Sequence, residues 1–228
     1  MVQMRQEYRD QLEQIERQTL EGLDMVVTAV DRALEALMTH DDELASIVVA
    51  DDDRIDGRYL ETHQAILSLL ALQAPVAGDL RVVASLLHVI RHIERMGDQC
   101  VTIAKLVPLD GAEPPSDRQL LDLIARMGAC VRGQTLQAKR AFASRDLPLA
   151  EELVALDREV NALNRGIFAR SVEIGDEPEL REWAMHMTLV ARCLERIGDN
   201  AVDIGEQTAF VVTGLFREFS DASQVRLD

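Results

Sequence analysis

Two short segments of the chain place a glutamate and an aspartate one helical turn apart, within the same five-residue pattern. The pattern is Glu-Arg, an apolar residue, then Gly-Asp, and it runs from Glu94 to Asp98 and again from Glu195 to Asp199. Residues four apart share one helix face, but such acidic pairs arise often by chance in a chain with 40 Asp and Glu residues. The repeated glycine is more informative, because a glycine inside a helix costs about 1 kcal/mol relative to alanine. The pattern therefore indicates a close backbone approach beside a functional pair of carboxylates.

The likeness between the two halves extends beyond this pattern. One alignment of the halves places Asp52 over Asp157 and Asp56 over Asn161. A self-similarity of this kind is the mark of an internal repeat. The chain is thus predicted to consist of two tandem units of about a hundred residues, joined through the segment from Pro108 to Pro115.

The composition favours an all-α fold that can build a sizeable core over 228 residues. Strand signals are scarce, with only 4% aromatic residues and no hairpin turn between alternating segments. Caps and helix breakers predict six long helices, whose short connections indicate helix bundles. The predicted helices cover roughly 3–39, 42–74, 78–107, a segment capped by Ser116 or Asp117 that ends near 144, a segment capped by Asp146, and 178–218.

The charge and the cysteines restrict the cellular setting and the partners. A net charge of −16 argues against nucleic acid and against unaided binding to anionic lipid, and it favours cations and basic protein surfaces. No apolar stretch approaches 18 residues, and the first residues lack the apolar segment of a signal peptide. Three scattered cysteines (Cys100, Cys130 and Cys193) suit buried thiols in a reducing compartment. We therefore expect a cytoplasmic protein without membrane insertion.

The predicted second and third helices must run antiparallel, because only a short turn joins them, and the same holds for the last two long helices. Counting residues from each turn places acidic residues of the two neighbouring helices at the same height along the bundle, and this gives one acidic set in each unit. The first acidic face comprises Asp52, Asp56, Glu94 and Asp98. The second acidic face comprises Asp157, Asn161, Glu195, Asp199 and, one turn further, Asp203.

These faces predict metal sites, because neighbouring like charges are destabilising and a hard cation would remove the conflict. Ligand sets made of oxygen atoms alone select Mg, Ca, Mn or ferric iron. Besides a metal-binding protein without catalytic activity, two other interpretations stay open. The faces could be solvated surfaces with Arg95, Arg196, Arg54 or Arg158 as salt-bridge partners, and the protein would then be a plain helical scaffold. A carboxylate-bridged metal oxidase is disfavoured, since such bundles use Glu-x-x-His pairs and no histidine follows Glu94 or Glu195 at that spacing.

The order of these motifs resembles the PhoU family. Asp-x-x-x-Asp/Asn is followed by a Gln-x-Pro-x-x-x-Asp-Leu-Arg turn and then by Glu-Arg-x-Gly-Asp, and the turn is matched by Gln73–Arg81. The resemblance covers about 10 to 215 and is nearest to the PhoU-like (PhoY) proteins of actinobacteria and related groups. It implies two three-helix bundles in tandem, which we place at residues 1–110 and 115–228.

The resemblance also implies a function, which is regulatory and not enzymatic. Proteins of this family are accessory regulators of phosphate homeostasis that couple a phosphate-specific ABC transporter to a sensor histidine kinase, which represses phosphate-starvation genes when phosphate is plentiful. Their metal clusters carry over here to the two acidic faces, with iron, manganese or magnesium as the expected ions. The units differ at Asn161, where the first has Asp56, and at Thr102, where the second has Asp203. Long exposed helix faces also allow a homodimer.

Overall fold

A computed structural model describes residues 2–73, 75–111 and 114–219. Within these ranges the chain forms seven α-helices, one short 3-10 helix (Val107–Asp110) and no strand, so the predicted all-helical fold with six long helices is confirmed. The helices are α1 (Val2–Thr39), α2 (Asp42–Gln73), α3 (Ala77–Leu106), α4 (Arg118–Ser144), α5 (Leu147–Glu151), α6 (Leu153–Ile174) and α7 (Pro178–Thr213).

Side-chain caps fix the helix starts that the sequence indicates. Asp117 accepts a hydrogen bond from the backbone N–H of Leu120 at 2.8 Å, and this closes the first turn of α4. Asp146 likewise accepts from the backbone N–H of Leu149 at 3.0 Å, with Pro148 in the first turn of α5. These are the caps expected for the fourth and fifth predicted helices.

Two helix boundaries differ from the prediction. The predicted fifth helix is interrupted at Glu152, whose carbonyl accepts from the N–H of Ala155 at 3.0 Å, so a tighter turn separates short α5 from α6. The last helix ends at Thr213 and not near 218. The reason is Gly214, which takes a left-handed φ of 75° while its N–H donates to the Phe210 carbonyl at 2.8 Å.

Each unit is a three-helix arrangement, and the two share one continuous hydrophobic core. Helices α1, α2 and α3 pack on one another, as do α4, α6 and α7, while α3 against α7 and α1 against α4 join the units. The proposed limits at 1–110 and 115–228 stay a prediction, and residues 1, 74, 112–113 and 220–228 lie outside the described part. No described helix has the length and apolarity needed to cross a membrane.

The contact between α1 and α4 is antiparallel and carries charge pairs. The Arg132 Nε donates to both Asp31 carboxylate oxygens at 3.0 Å. Lys139, which comes later on α4 than Arg132, has its Nζ 2.5 Å from Oδ1 of Asp24, which comes earlier on α1 than Asp31. The two helices therefore run in opposite directions. Such pairs at a partly exposed contact add register specificity more than stability.

Candidate metal centre

Gly97 sets how closely α3 approaches α2 at the first acidic face. A Cβ atom at this position would lie 2.9 Å from Asp52 Oδ1 and 3.1 Å from the Cδ1 of Ile55. Separations this short are below ordinary van der Waals contact, so the Asp52 carboxylate occupies space that a side chain at residue 97 would fill. The close approach predicted from the repeated glycine is confirmed here.

Gly198 has the same role in the second unit, with different neighbours. A Cβ there would lie 2.9 Å from Gln134 Oε1 of α4 and 3.6 Å from Asp157 Oδ1 of α6. The side chain nearest to this glycine is thus an amide from a third helix. In both units the glycine lets an aspartate of the preceding long helix sit against the helix that carries the Glu and Asp pair.

The structure brings the four side chains of the first acidic face within range of one another's charge. Burial, together with the charges of Asp56, Asp98 and Glu94, raises the pKa of Asp52 to about 6. Burial also raises the pKa of Glu94, opposed by Arg91 and reinforced by Asp98 and Asp56. Asp52 and Glu94 are half-buried, whereas Asp56 and Asp98 are exposed.

Two carboxylates of this face are left short of hydrogen-bond donors. The Arg91 guanidinium donates to Glu94 Oε1 at 3.2 Å, but Glu94 Oε2 is buried without a hydrogen-bond partner among the described residues. Asp52 also accepts no hydrogen bond from the part of the chain that the structure describes. A buried oxygen without a donor is destabilising by about 1–3 kcal/mol. A cation would relieve that deficit, so the donor set fits a hard metal ion.

The second acidic face satisfies its central carboxylate with amides. Asp157 and Asn161 are buried, with exposed fractions of 6% and 5%. The Asn161 Nδ2 donates to Asp157 Oδ2 at 2.7 Å, and the Gln134 Nε2 lies 3.5 Å from Asp157 Oδ1. Asn161 therefore acts as a hydrogen-bond donor to Asp157, and its side-chain oxygen is the atom left to serve as a metal ligand.

The remaining members of the second acidic face lie further apart. Glu195 is half-buried and accepts a hydrogen bond from Arg192, and Asp199 is exposed. Asp203 lies at the contact between the units, with Oδ2 3.4 Å from His92 Nδ1 of α3. Burial raises the pKa of Asp203, against the opposing charge of His92. Burial in turn lowers the pKa of His92, whose Nδ1 also lies 2.8 Å from Asn200 Oδ1.

The arginines that contact the two glutamates differ from those expected for a solvated face. Arg91 and Arg192, each three residues before its glutamate, make these contacts in place of Arg95 and Arg196. Across the residues that the structure describes, no three His, Cys, Asp or Glu side chains are already arranged to hold a metal ion. Metal binding at the nine residues of the two acidic faces therefore stays a prediction.

The comparison with protein families matches both units. The model of the PhoU domain matches residues 19–107 and, a second time, residues 124–208. The chain belongs to the PhoU family. Each match contains one copy of the Glu-Arg-x-Gly-Asp pattern and the helix that faces it, so the resemblance found in the sequence is confirmed.

Relatives within the PhoU family align with most of the chain. The phosphate-specific transport system accessory protein PhoU homolog 1 of Mycobacterium leprae is 30% identical over 221 residues, covering 94% of this chain and 96% of that protein. The PhoU homolog of Clostridium acetobutylicum is 29% identical over 216 residues, covering 94% and 98%. The homolog of Caulobacter vibrioides is 35% identical over 184 residues, covering 79% of each chain.

Solved PhoU structures have the same fold. PhoU from Pseudomonas aeruginosa superposes with a TM-score of 0.85 at 26% identity, covering 91% of this chain and 100% of that one. The phosphate transport system regulatory protein PhoU from Streptococcus pneumoniae gives the same TM-score at 23% identity, covering 92% and 99%. The second similarity concerns the fold alone.

Sequence reasoning missed one residue of the second acidic face, Gln134. Gln134 is on α4, and its amide lies beside Gly198 and Asp157. The spacing of the motifs on α6 and α7 gives no information about residues of α4. A comparison of the two repeat units could have identified Gln134. The alignment that places Asp52 over Asp157 also places Ala29 over Gln134, so the units differ in side-chain size at that point.

Proposed function

We propose that the chain is a metal-binding regulatory adaptor of phosphate homeostasis that acts as an accessory protein of a phosphate-specific transport system. The observation that carries this proposal is the match of the PhoU domain in both units, together with relatives named as phosphate-specific transport system accessory proteins over more than nine-tenths of the chain. In this role the protein keeps phosphate-starvation signalling and phosphate uptake low while phosphate is plentiful. No catalytic residue is proposed.

The first acidic face supports the metal-binding part of the proposal most strongly. Asp52, Asp56, Glu94 and Asp98 would hold the ion, and Glu94 Oε2 and the Asp52 carboxylate are the oxygens that lack donors. Iron, manganese or magnesium would supply the positive charge that opposes the repulsion between these groups. Asp52 and Asp56 lie on α2, whereas Glu94 and Asp98 lie on α3. An ion bound by these four residues would therefore link the two helices.

The second acidic face would bind more weakly, with Glu195, Asp199, Asp157, Asn161 and Asp203 as candidates. Asp157 already accepts a hydrogen bond from Asn161, so a metal would have to replace a contact that exists. Asp203 lies against His92 at the contact between the units. An ion drawn to Asp203 would therefore also act on the junction of α3 with α7.

The expected partners are cytoplasmic parts of the phosphate-specific ABC transporter and of a sensor histidine kinase. A net charge of −16 produces a negative field that attracts basic protein surfaces and speeds their encounter. Association should then weaken as salt concentration rises, because salt screens the charges at the rim of an interface. A homodimer through exposed helix faces is part of the same proposal.

A deletion strain tests the regulatory role. Removing the gene should raise alkaline phosphatase expression in phosphate-rich medium, and the wild-type gene supplied in trans should restore repression. Supplying the Asp98→Asn/Asp199→Asn variant then asks whether the acidic faces are needed for repression. Normal repression in the deletion strain, with no paralogue able to substitute, would reject the regulatory role.

A further inference from the structure

A cavity of about 210 Å³ lies in the first unit between α1, α2 and α3. Its floor is buried and apolar, and it is formed by Val48, Ile55, Cys100 and Val101. Its rim is exposed and polar. Asp52 stands in the wall, so the cavity and the first acidic face share this carboxylate.

The corresponding space in the second unit is filled by larger side chains. The repeat alignment places Ala29, which lines the cavity, over Gln134, and it places Val48 over Leu153. Gln134 and Leu153 are fully buried, and the Gln134 amide occupies the space beside Gly198 and Asp157. The first unit therefore has an opening at a position where the same fold elsewhere packs a long side chain.

Most of the charges around the cavity are already paired. Asp24 is held by Lys139 at 2.5 Å, and Asp51 is held by Arg32 at 2.6 Å. Arg54 lies at the exposed rim, with its guanidinium 3.7 Å from Asp51 Oδ1. Asp52 is the charged group left without a donor in the described part of the chain, whereas its counterpart Asp157 has amide neighbours.

The surroundings of Asp52 favour a cation over an anion. The charges of Asp56, Asp98 and Glu94 act on it from the adjoining face, so the local potential is negative. The opposite side of the cavity is apolar, which favours a hydrocarbon body. A cavity of about 150 Å³ holds benzene, and drug-sized ligands need about 300 Å³ or more, so the fitting molecule has about ten non-hydrogen atoms.

We propose that this cavity is a binding site for a small organic amine, with the ammonium group at Asp52 and an apolar body over Val48, Ile55 and Val101. The amine would use the same Asp52 carboxylate that the first acidic face would offer to a metal ion, so the two ligands would compete for it. A charge-assisted hydrogen bond from the ammonium would give Asp52 the donor that Gln134 and Asn161 provide near Asp157. At the corresponding position of the second unit, the buried side chains of Gln134 and Leu153 take up this space.

The test measures binding of three probes to the full chain in buffer with EDTA, by ligand-observed NMR and thermal shift. The probes are 2-phenylethylamine, its neutral analogue ethylbenzene, and the anion 3-phenylpropionate. The amine should bind at least tenfold more tightly than the neutral analogue and raise the melting temperature, and the anion should not bind. Failure of the amine to bind at millimolar concentration, or equal binding of all three probes, would overturn the proposal.

Variants that import the second unit's residues locate the site. Ala29→Gln should fill the cavity and weaken amine binding at least tenfold, and Val48→Leu offers a milder filling if the first variant is unstable. Asp52→Asn should remove the preference for the amine over ethylbenzene. Gly166→Ala, whose added methyl group meets nothing within 4 Å in the second unit, serves as the control and should leave the amine affinity unchanged. Amine binding that neither filling variant weakens would place the ligand elsewhere and refute the assignment. Since EDTA removes metal and no partner is present, this outcome is independent of the phosphate-regulatory proposal.

Discussion

Asp52 and Asp157 hold equivalent positions in the two units, yet their surroundings differ. Each lies against a glycine inside the following long helix. Asp157 is buried and accepts a hydrogen bond from Asn161, whereas Asp52 is half-buried, lines a cavity and has a pKa raised to about 6. The repeat therefore conserves the position of a carboxylate without conserving how its charge is stabilised.

This difference bears on where a metal ion would bind first. The first acidic face has four carboxylates, of which Glu94 has a buried oxygen without a donor, whereas the second contains an amide that already bonds to its central aspartate. The sequence differences at Asn161 and Thr102 already leave equal occupancy of the two faces in doubt. The structure makes the first face the stronger candidate, because binding there would replace fewer existing contacts.

The largest expected effect comes from exchanging the residues that distinguish the faces. Asn161→Asp should destabilise the metal-free protein by about 2–4 kcal/mol, because it removes the amide donor and buries a second carboxylate beside Asp157. The reverse exchange, Asp56→Asn, should change stability by less than about 0.5 kcal/mol or increase it, since Asp56 is exposed among like charges. Urea unfolding in EDTA measures both.

Equal effects of these two exchanges would contradict the difference drawn between the faces. Adding Mn²⁺ provides a further check, because the additional carboxylate beside Asp157 should strengthen binding at the second face. Recovery of the lost stability at saturating Mn²⁺ is therefore expected for Asn161→Asp.

A smaller effect should follow from breaking an ion pair that only the second unit can make. The Arg170 guanidinium donates to both oxygens of Asp117 at 2.6 and 3.1 Å, and the repeat alignment places Leu12 and Ala65 at these positions in the first unit. Asp117→Asn keeps a good helix cap but loses the charge, so it should destabilise by about 1.5 kcal/mol at pH 7.

The pH dependence of this effect has a defined sign. The hydrogen bonds from Arg170 lower the pKa of Asp117 below its usual 3.8, so the folded protein favours the ionised form. The stability that Asp117 contributes is thus present above pH 3.8 and is lost as pH falls through the folded-state pKa. The difference between wild type and Asp117→Asn should be constant from pH 5 to 7 and shrink toward pH 3. A difference that grows on acidification would contradict the assignment.

The glycines give the smallest effects. Gly97→Ala should lower stability by about 1 kcal/mol, because overpacking against Asp52 and Ile55 outweighs the gain in helix propensity. Gly198→Ala should be less harmful, since its one short contact is with the movable end of Gln134. Gly166→Ala is the control: nothing lies near its Cβ position, so the melting temperature should rise. A higher melting temperature for Gly198→Ala would show that the close approach does not matter.

Local signals in the sequence were sufficient for most of the fold. Asp117 and Asp146 act as caps where predicted, and the helix after the last turn begins at Pro178. The end of the last helix was placed too late, although Gly214 was a visible stop signal that the apolar pattern around it obscured. The break at Glu152 has no comparable signal, because it depends on how α5 packs against α7 and α4.

Contacts with helices outside each antiparallel pair account for what was missed at the acidic faces. Spacing along two antiparallel helices brought Asp52 and Glu94 together correctly, since both lie within one three-helix unit. It could not place Asp203 beside His92, because that contact depends on how α3 packs against α7. Gln134 was missed because it comes from α4, which is outside the antiparallel pair of α6 and α7 on which the spacing was counted.

The metal content of the purified protein tests the central claim most directly. Elemental analysis after gentle purification without chelator should find at least one iron, manganese or magnesium ion per chain. Asp98→Asn should lower that content more than Asp199→Asn, and the double variant should bind least while its helicity by circular dichroism stays unchanged. Wild-type protein without metal, or an unchanged metal stoichiometry in the double variant, would contradict the assignment of the acidic faces as cation sites.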